Sequence, residues 1–168
     1  MKTRGLILLF LFLFSKTEAD SYNKIEIRNA FVLACIDEDK NDALIERLQN
    51  IQGNDPLIAA YIGALTAVKA KFSMIPWRKY NYCKDGLKAI SESIAKSPEN
   101  IEIRYLRLVI EYKTPKIAGL QGDMESDKSK IAALFSNEQD IHLKKMIASF
   151  ILGNNLCSEA EKHLFSNL

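Results

Sequence analysis

Apolar residues recur three and four positions apart through nearly all of the chain beyond residue 20. That period suits α-helices and not half-buried strands, which need strict alternation. Glycine and proline, the usual punctuation of β-rich chains, number only 7 and 4 in 168 residues. The pattern predicts an all-α protein of about eight short antiparallel helices.

Ile27, Ala30, Phe31 and Ala34 mark one face of a first helix, and Ala43, Leu44 and Leu48 that of a second over residues 41–48. Asp55-Pro56 reads as an N-cap followed by proline at the first helical position. It opens a third helix over residues 57–73, apolar nearly all round and therefore central. Ala60, Gly63, Ala64 and Ala67 give this helix a stripe of small side chains for close packing. Residues 74–78, interrupted by Pro76, read as irregular. A fourth helix follows over residues 79–96, with Leu87, Ile90 and Ile94 inward. Helix five, residues 101–112, offers Ile103, Leu106, Val109 and Ile110 for burial, and residues 113–123 form a loop. Helix six covers residues 125–135. Ser136 to Gln139 has the spacing of a capping box and begins helix seven, which carries Leu143, Met146, Ile147 and Phe150. Gly153-Asn154-Asn155 stops that helix, and helix eight, residues 156–165, closes the chain.

The N-terminus has the three parts of a secretory leader. Lys2 and Arg4 are basic, residues 5–14 are unbroken apolar, and residues 15–19 are polar and end in alanine. The apolar run is shorter than the roughly 20 residues that a membrane-crossing helix needs. Cleavage is expected after Ala19, leaving residues 20–168 as a single helical domain, exported to the periplasm or beyond; an uncleaved membrane anchor is the rival reading. The leader holds three of the 23 Lys+Arg (Lys2, Arg4, Lys16) and one of the 21 Asp+Glu (Glu18), so the remainder has 20 of each and is formally neutral. A neutral domain exerts no global pull on nucleic acid. Cys35, Cys83 and Cys157 include no CxxC pair. Buried free thiols and one long-range disulfide with a thiol left over are both open readings.

Gly86, Ile90, Ser93 and Pro98 sit at the spacing of the second helix of a tetratricopeptide unit, and Tyr61, Gly63 and Ala64 resemble its first helix. Residues 74–84 are an insertion relative to that repeat, so residues 57–100 make one degenerate unit, and the helices are expected to form a tetratricopeptide-like (TPR-like) helical array or an irregular bundle. The segments AYIGALTAVKAKF (60–72), IPW (75–77), GLKAISESIAKSPENIEIRYLRL (86–108), TPKIAG (114–119) and ESDK (125–128) together resemble a family of small exported bacterial proteins with a TPR-like domain. The loop departs from that pattern at Ala118 and Leu120. The resemblance implies a helical fold and an envelope location, and it brings no activity with it.

Candidate chemistry is sparse. Arg104, Arg107 and Glu111 share a side of helix five, where paired arginines suit a partner's carboxylate; a solvated stripe with an Arg107–Glu111 pair is the plainer reading. Trp77, Arg78, Lys79, Tyr80 and Tyr82 form a basic-aromatic cluster able to stack on sugars or peptide aromatics. Glu138–His142 and Glu159–His163 each offer two groups on one helix face, short of the three or four ligands of a zinc site. There is no Gly-x-Ser-x-Gly elbow, and Gly119-Leu120-Gln121-Gly122 lacks the Lys-Ser/Thr that completes a phosphate loop. The sequence therefore points to a protein- or peptide-binding or scaffold module of the envelope, not an enzyme, with no cofactor, no metal and no nucleic-acid partner. Trp77, Arg104 and Arg107 are the candidate partner-binding residues, with Tyr61 and Tyr105 as apolar lining. An envelope enzyme using Glu or His side chains, and a structural subunit of an envelope complex, are the alternatives.

Overall fold

The computed structural model describes residues 22–167; the leader expected over residues 1–19 lies outside them. The described residues are all-helical, with eight α-helices and no strand. They are α1 (Lys24–Ala34), α2 (Glu38–Gln49), α3 (Pro56–Phe72), α4 (Pro76–Lys96), α5 (Ile101–Lys113), α6 (Met124–Phe135), α7 (Ile141–Gly153) and α8 (Glu159–Ser166), with one 3₁₀ turn at Lys116–Ala118. None of these helices is long and apolar enough to cross a membrane.

Side-chain oxygens close most of the helix starts. Asn23, Asp37, Asp55, Asn100 and Asp140 each accept a backbone N–H from the first turn of the helix that follows, satisfying donors that have no partner inside the helix. The capping box belongs to α8, where Ser158 and Glu161 cap one another's backbone, and not to residues 136–139, because Asp140 caps α7. Capping at Asp37 likewise starts α2 three residues earlier than its apolar pattern suggests, and Ala43 faces solvent. The segment expected to be irregular, residues 74–78, is largely helix. Ile75 takes the extended conformation that a following proline favours, and Pro76 opens α4 instead of breaking it.

Helices α3 and α4 pack with their backbones close together. A Cβ at Gly86 would overlap the carbonyl oxygen of Gly63 and lie 2.7 Å from both the backbone N and the Cβ of Ala67. A Cβ at Gly63 would lie 2.9 Å from the Gly86 carbonyl and 3.1 Å from Ile90 Cγ1. Position 67 meets 86 while 63 meets 90, so the two helices run antiparallel. The small-residue stripe is thus the contact surface of the α3–α4 hairpin.

There are two cores, and α5 serves both. The first holds Ile27, Phe31, Leu44, Leu48, Leu65 and Ile90 together with Ile103, Leu106 and Ile110 of α5. The second holds Ile131, Phe135, Leu143, Ile147 and Phe165 together with Ile101 and Leu108. With about 100° of turn per residue, Leu106 and Ile110 lie within ~60° of Ile103, whereas Ile101 and Leu108 lie ~140–160° away. Helix α5 is therefore sandwiched between apolar layers, and its two flanks are seams in which polar side chains must find partners.

Candidate functional site

Of the five residues singled out from the sequence, Arg104 and Arg107 lie in one seam, Tyr61 of the first core reaches the other with its hydroxyl, and Tyr105 packs against the second core. Arg107 is only 7% exposed. Its Nε and Nη2 donate to Asp127 at 2.7 and 2.8 Å, and its Nη1 donates to Asp123 at 3.0 Å and to Ser91 at 3.2 Å. Arg104 shares Asp127 at 3.1 Å and donates through Nε to the Pro98 carbonyl at 2.9 Å. Tyr61, 2% exposed, donates its hydroxyl to Glu102 Oε1 at 2.6 Å and sets its ring edge-on to Phe31. Tyr105 is half-buried and meets Phe150 edge-to-face, and burial pushes its hydroxyl up to about 12. Tyr61 and Arg107 are engaged within the fold, and the five residues do not converge on one surface. Glu111 does not form the expected exposed pair with Arg107 either. It is buried and accepts the Asp123 N–H at 3.2 Å. Burial, reinforced by the negative charges of Asp123 and Asp127 and opposed by that hydrogen bond and by Arg107, pushes it up to about 7.

The other seam contains groups that the sequence reading passed over. Arg28 forks onto Glu102 at 2.7 and 2.8 Å and reaches Asp140, the α7 cap, at 2.8 Å. One guanidinium thus ties α1, α5 and α7 together. A signal existed for Asp127, which precedes Ile131 and Phe135 at four-residue spacing and so had to lie on the buried face of α6.

The histidine pairs are not assembled into ligand sets. Glu138 accepts the Asp140 N–H at 2.8 Å, and Glu159 pairs with Lys162 at 2.5 Å. Among the described residues no group of three or more His, Cys, Asp or Glu side chains is placed to hold a metal. Cys35, Cys83 and Cys157 are free thiols.

Trp77 is in a different situation. It is 62% exposed in the first turn of α4, beside Met74 at 89% and the exposed Tyr80. The Arg78 guanidinium lies 5.4 Å from the centre of its ring, a contact worth about 0.5–1 kcal/mol at an exposed position. The α3–α4 elbow borders a cleft of about 300 Å³ lined by Glu38, Lys69, Phe72, Met74, Ile75, Arg78 and Tyr82, with Ser73 at the turn. Lys71 Nζ donates to the Cys35 carbonyl at 3.0 Å, which brings the α1–α2 turn, with Ile36 69% exposed, to the same end of the molecule.

The elbow is also electrically distinct. No Asp or Glu occurs between Asp55 and Asp85, while Lys69, Lys71, Arg78, Lys79 and Lys84 all do. No acidic residue occupies the first turn of α4 and no side chain caps it, so the positive end of the helix dipole adds to these charges. Five arginines lie among the described residues. Arg28, Arg47, Arg104 and Arg107 each pair with a carboxylate, and Arg78 alone has none there. Lys69 is matched by Asp42 at 2.6 Å. No family model, curated protein or solved structure matches the chain.

Proposed function

We propose that this chain is an exported helical module that acts by binding a protein or peptide partner, or as a scaffold, in the cell envelope. Its recognition surface is the α3–α4 elbow and not the flank of α5. The observation that carries this reading is Arg78, a guanidinium without a carboxylate among the described residues, stacked on an exposed tryptophan at the edge of a cleft. Arginine and tryptophan are the side chains most enriched where binding energy concentrates. Of the ten exposed large apolar side chains among the described residues, Met74, Trp77 and Tyr80 belong to this elbow and Ile36 to the neighbouring α1–α2 turn, and grouped exposed apolar side chains mark interaction surfaces more often than scattered ones do. Export is supported by the leader-like order of residues 2–19, and an envelope setting also by the resemblance to small exported bacterial proteins. A TPR-like reading of the array draws support from the antiparallel α3–α4 hairpin, whose close contact uses Gly63 and Gly86.

The test is photo-crosslinking in the native cell, with a photoreactive phenylalanine analogue in place of Trp77 and, as control, in place of the exposed Ser129 of α6. The expected result is a discrete adduct from position 77 that Arg78→Glu abolishes and that position 129 does not give. Absence of an adduct at 77, or the same adducts from both positions, refutes the elbow as the recognition surface.

A further inference from the structure

We infer that the occupant of the elbow is a segment of a protein partner in which a bulky apolar side chain is flanked by carboxylates. This rests on the binding-module reading above and gives the partner's chemistry. Phe72, Met74, Ile75 and Tyr82 contribute carbon surface to a cleft whose exposed lining is otherwise mainly polar. Its volume of about 300 Å³ is at the lower limit for sites that take drug-sized molecules, which fits one or two side chains. Arg78 lines the same cleft. Its planar fork matches a carboxylate in two parallel hydrogen bonds, a geometry that lysine does not offer. Lys79 continues the charge along α4, and the uncapped first turn of that helix adds to it.

An anionic lipid surface is the other chemistry that aromatic and basic groups suggest, and the elbow's neighbours disfavour it. Glu38 lines the cleft, and Asp37 and Asp39 flank it at the start of α2. A broad negative plane would press on all three, whereas a narrow segment can follow the first turns of α4, which carry no acidic residue before Asp85. The concavity of the cleft also favours a protruding side chain over a flat sheet of headgroups.

The experiment is selection of a random-peptide phage library on the purified protein, counter-selected on an Arg78→Glu/Lys79→Glu variant shown by circular dichroism to keep its helices. The best peptide is then titrated by following Trp77 emission, which reports on this site alone because the chain has one tryptophan. Phosphatidylglycerol and phosphatidylcholine vesicles are titrated in parallel. The expected result is enrichment of Leu, Phe or Met beside Asp or Glu, with a blue shift of Trp77 emission. Affinity should fall about tenfold in the double variant, a change typical of losing a charged contact, and should weaken with salt. Enrichment of sequences without acidic residues, equal binding to the variant, or a phosphatidylglycerol-dependent shift with no peptide enrichment overturns the inference. If the position-77 crosslink still captures a discrete partner while no acidic-apolar sequence is enriched, the binding-module reading stands and this inference falls. Silence in both experiments removes both.

Discussion

Replacing Gly86 by alanine sets two physical effects of opposite sign against one another. Helix propensity alone favours alanine over glycine inside a helix by up to ~1 kcal/mol. Packing opposes it. The added Cβ would overlap the Gly63 carbonyl oxygen and sit 2.7 Å from Ala67 N and Ala67 Cβ. Two of these three atoms are backbone, so no rotamer change relieves the contact and the hairpin must open. Overpacking of this kind costs about 1–3 kcal/mol, and opening the hairpin also loosens the contacts of the buried Ala60 and Ala64. The expected net effect is destabilisation of about 1–2 kcal/mol, or a fall in melting temperature of about 2–8 °C for a chain of this size. Gly63→Ala should be milder, because two of its close contacts, Ala89 Cβ at 3.0 Å and Ile90 Cγ1 at 3.1 Å, are side chains. Gly153→Ala, with nothing within 4 Å, should be neutral or slightly stabilising. Urea unfolding followed by circular dichroism ranks the three. A Gly86→Ala variant as stable as the parent, or more so, would refute the claim that α3 and α4 are in backbone contact at this point.

Two further predictions concern the α5 seams. Arg107→Met leaves Asp127, fully buried, with only the longer contact to Arg104; removing one partner of a buried pair costs about 3–5 kcal/mol, so the urea midpoint should fall well below that of any surface variant, and a change under about 1 kcal/mol would contradict the buried pairing. Glu111 is held at about 7 in the folded chain against an ordinary 4.5, so the folded state binds its proton more tightly than the unfolded state does. Its contribution is therefore most favourable below 4.5 and is lost as pH rises through 7; Glu111→Gln should raise the melting temperature relative to the parent at pH 8 with the difference vanishing near pH 4, and an equal difference at both pH values would show that Glu111 is not buried as described.

The helices were largely legible in the sequence because their apolar period is strong and their N-caps are Asp, Asn or Ser. The first turn of α4 was not, because Pro76 is read equally well as a breaker or as the first helical residue, and only its extended predecessor Ile75 decides. The α3–α4 contact was visible as a stripe of small residues, since few other reasons place Gly63 inside an apolar helix. The candidate site was half legible. Trp77 with its basic neighbours stood out and is exposed. Arg104 and Arg107 stood out for the opposite reason: charges on a helix buried on two sides are conspicuous because they are enclosed. Sequence alone could not separate those cases, since Asp127 lies twenty residues from Arg107 and Glu102 lies seventy-four from Arg28. Only tertiary packing shows which charges already have partners.

That division of charges links the fold to the proposed function. A guanidinium forked onto a buried carboxylate is held by the same contacts that keep α5 between its two cores, so it cannot be offered to a partner without opening the molecule. Arg78 carries no such obligation among the described residues. The backbone that carries it is nonetheless well fixed, because Arg78 lies in the first turn of α4, which packs in close backbone contact with α3. The Gly63–Gly86 contact sets the spacing of α3 and α4, a three-residue connection joins them, and Ser73 Oγ accepts the Ile75 N–H at 3.2 Å within that connection. A binding surface gains most from side chains carried on rigid elements, since less freedom is then lost on association. The small residues inside the hairpin and the basic, aromatic residues at its end therefore serve one arrangement: the first fix the backbone, and the second are what that backbone presents.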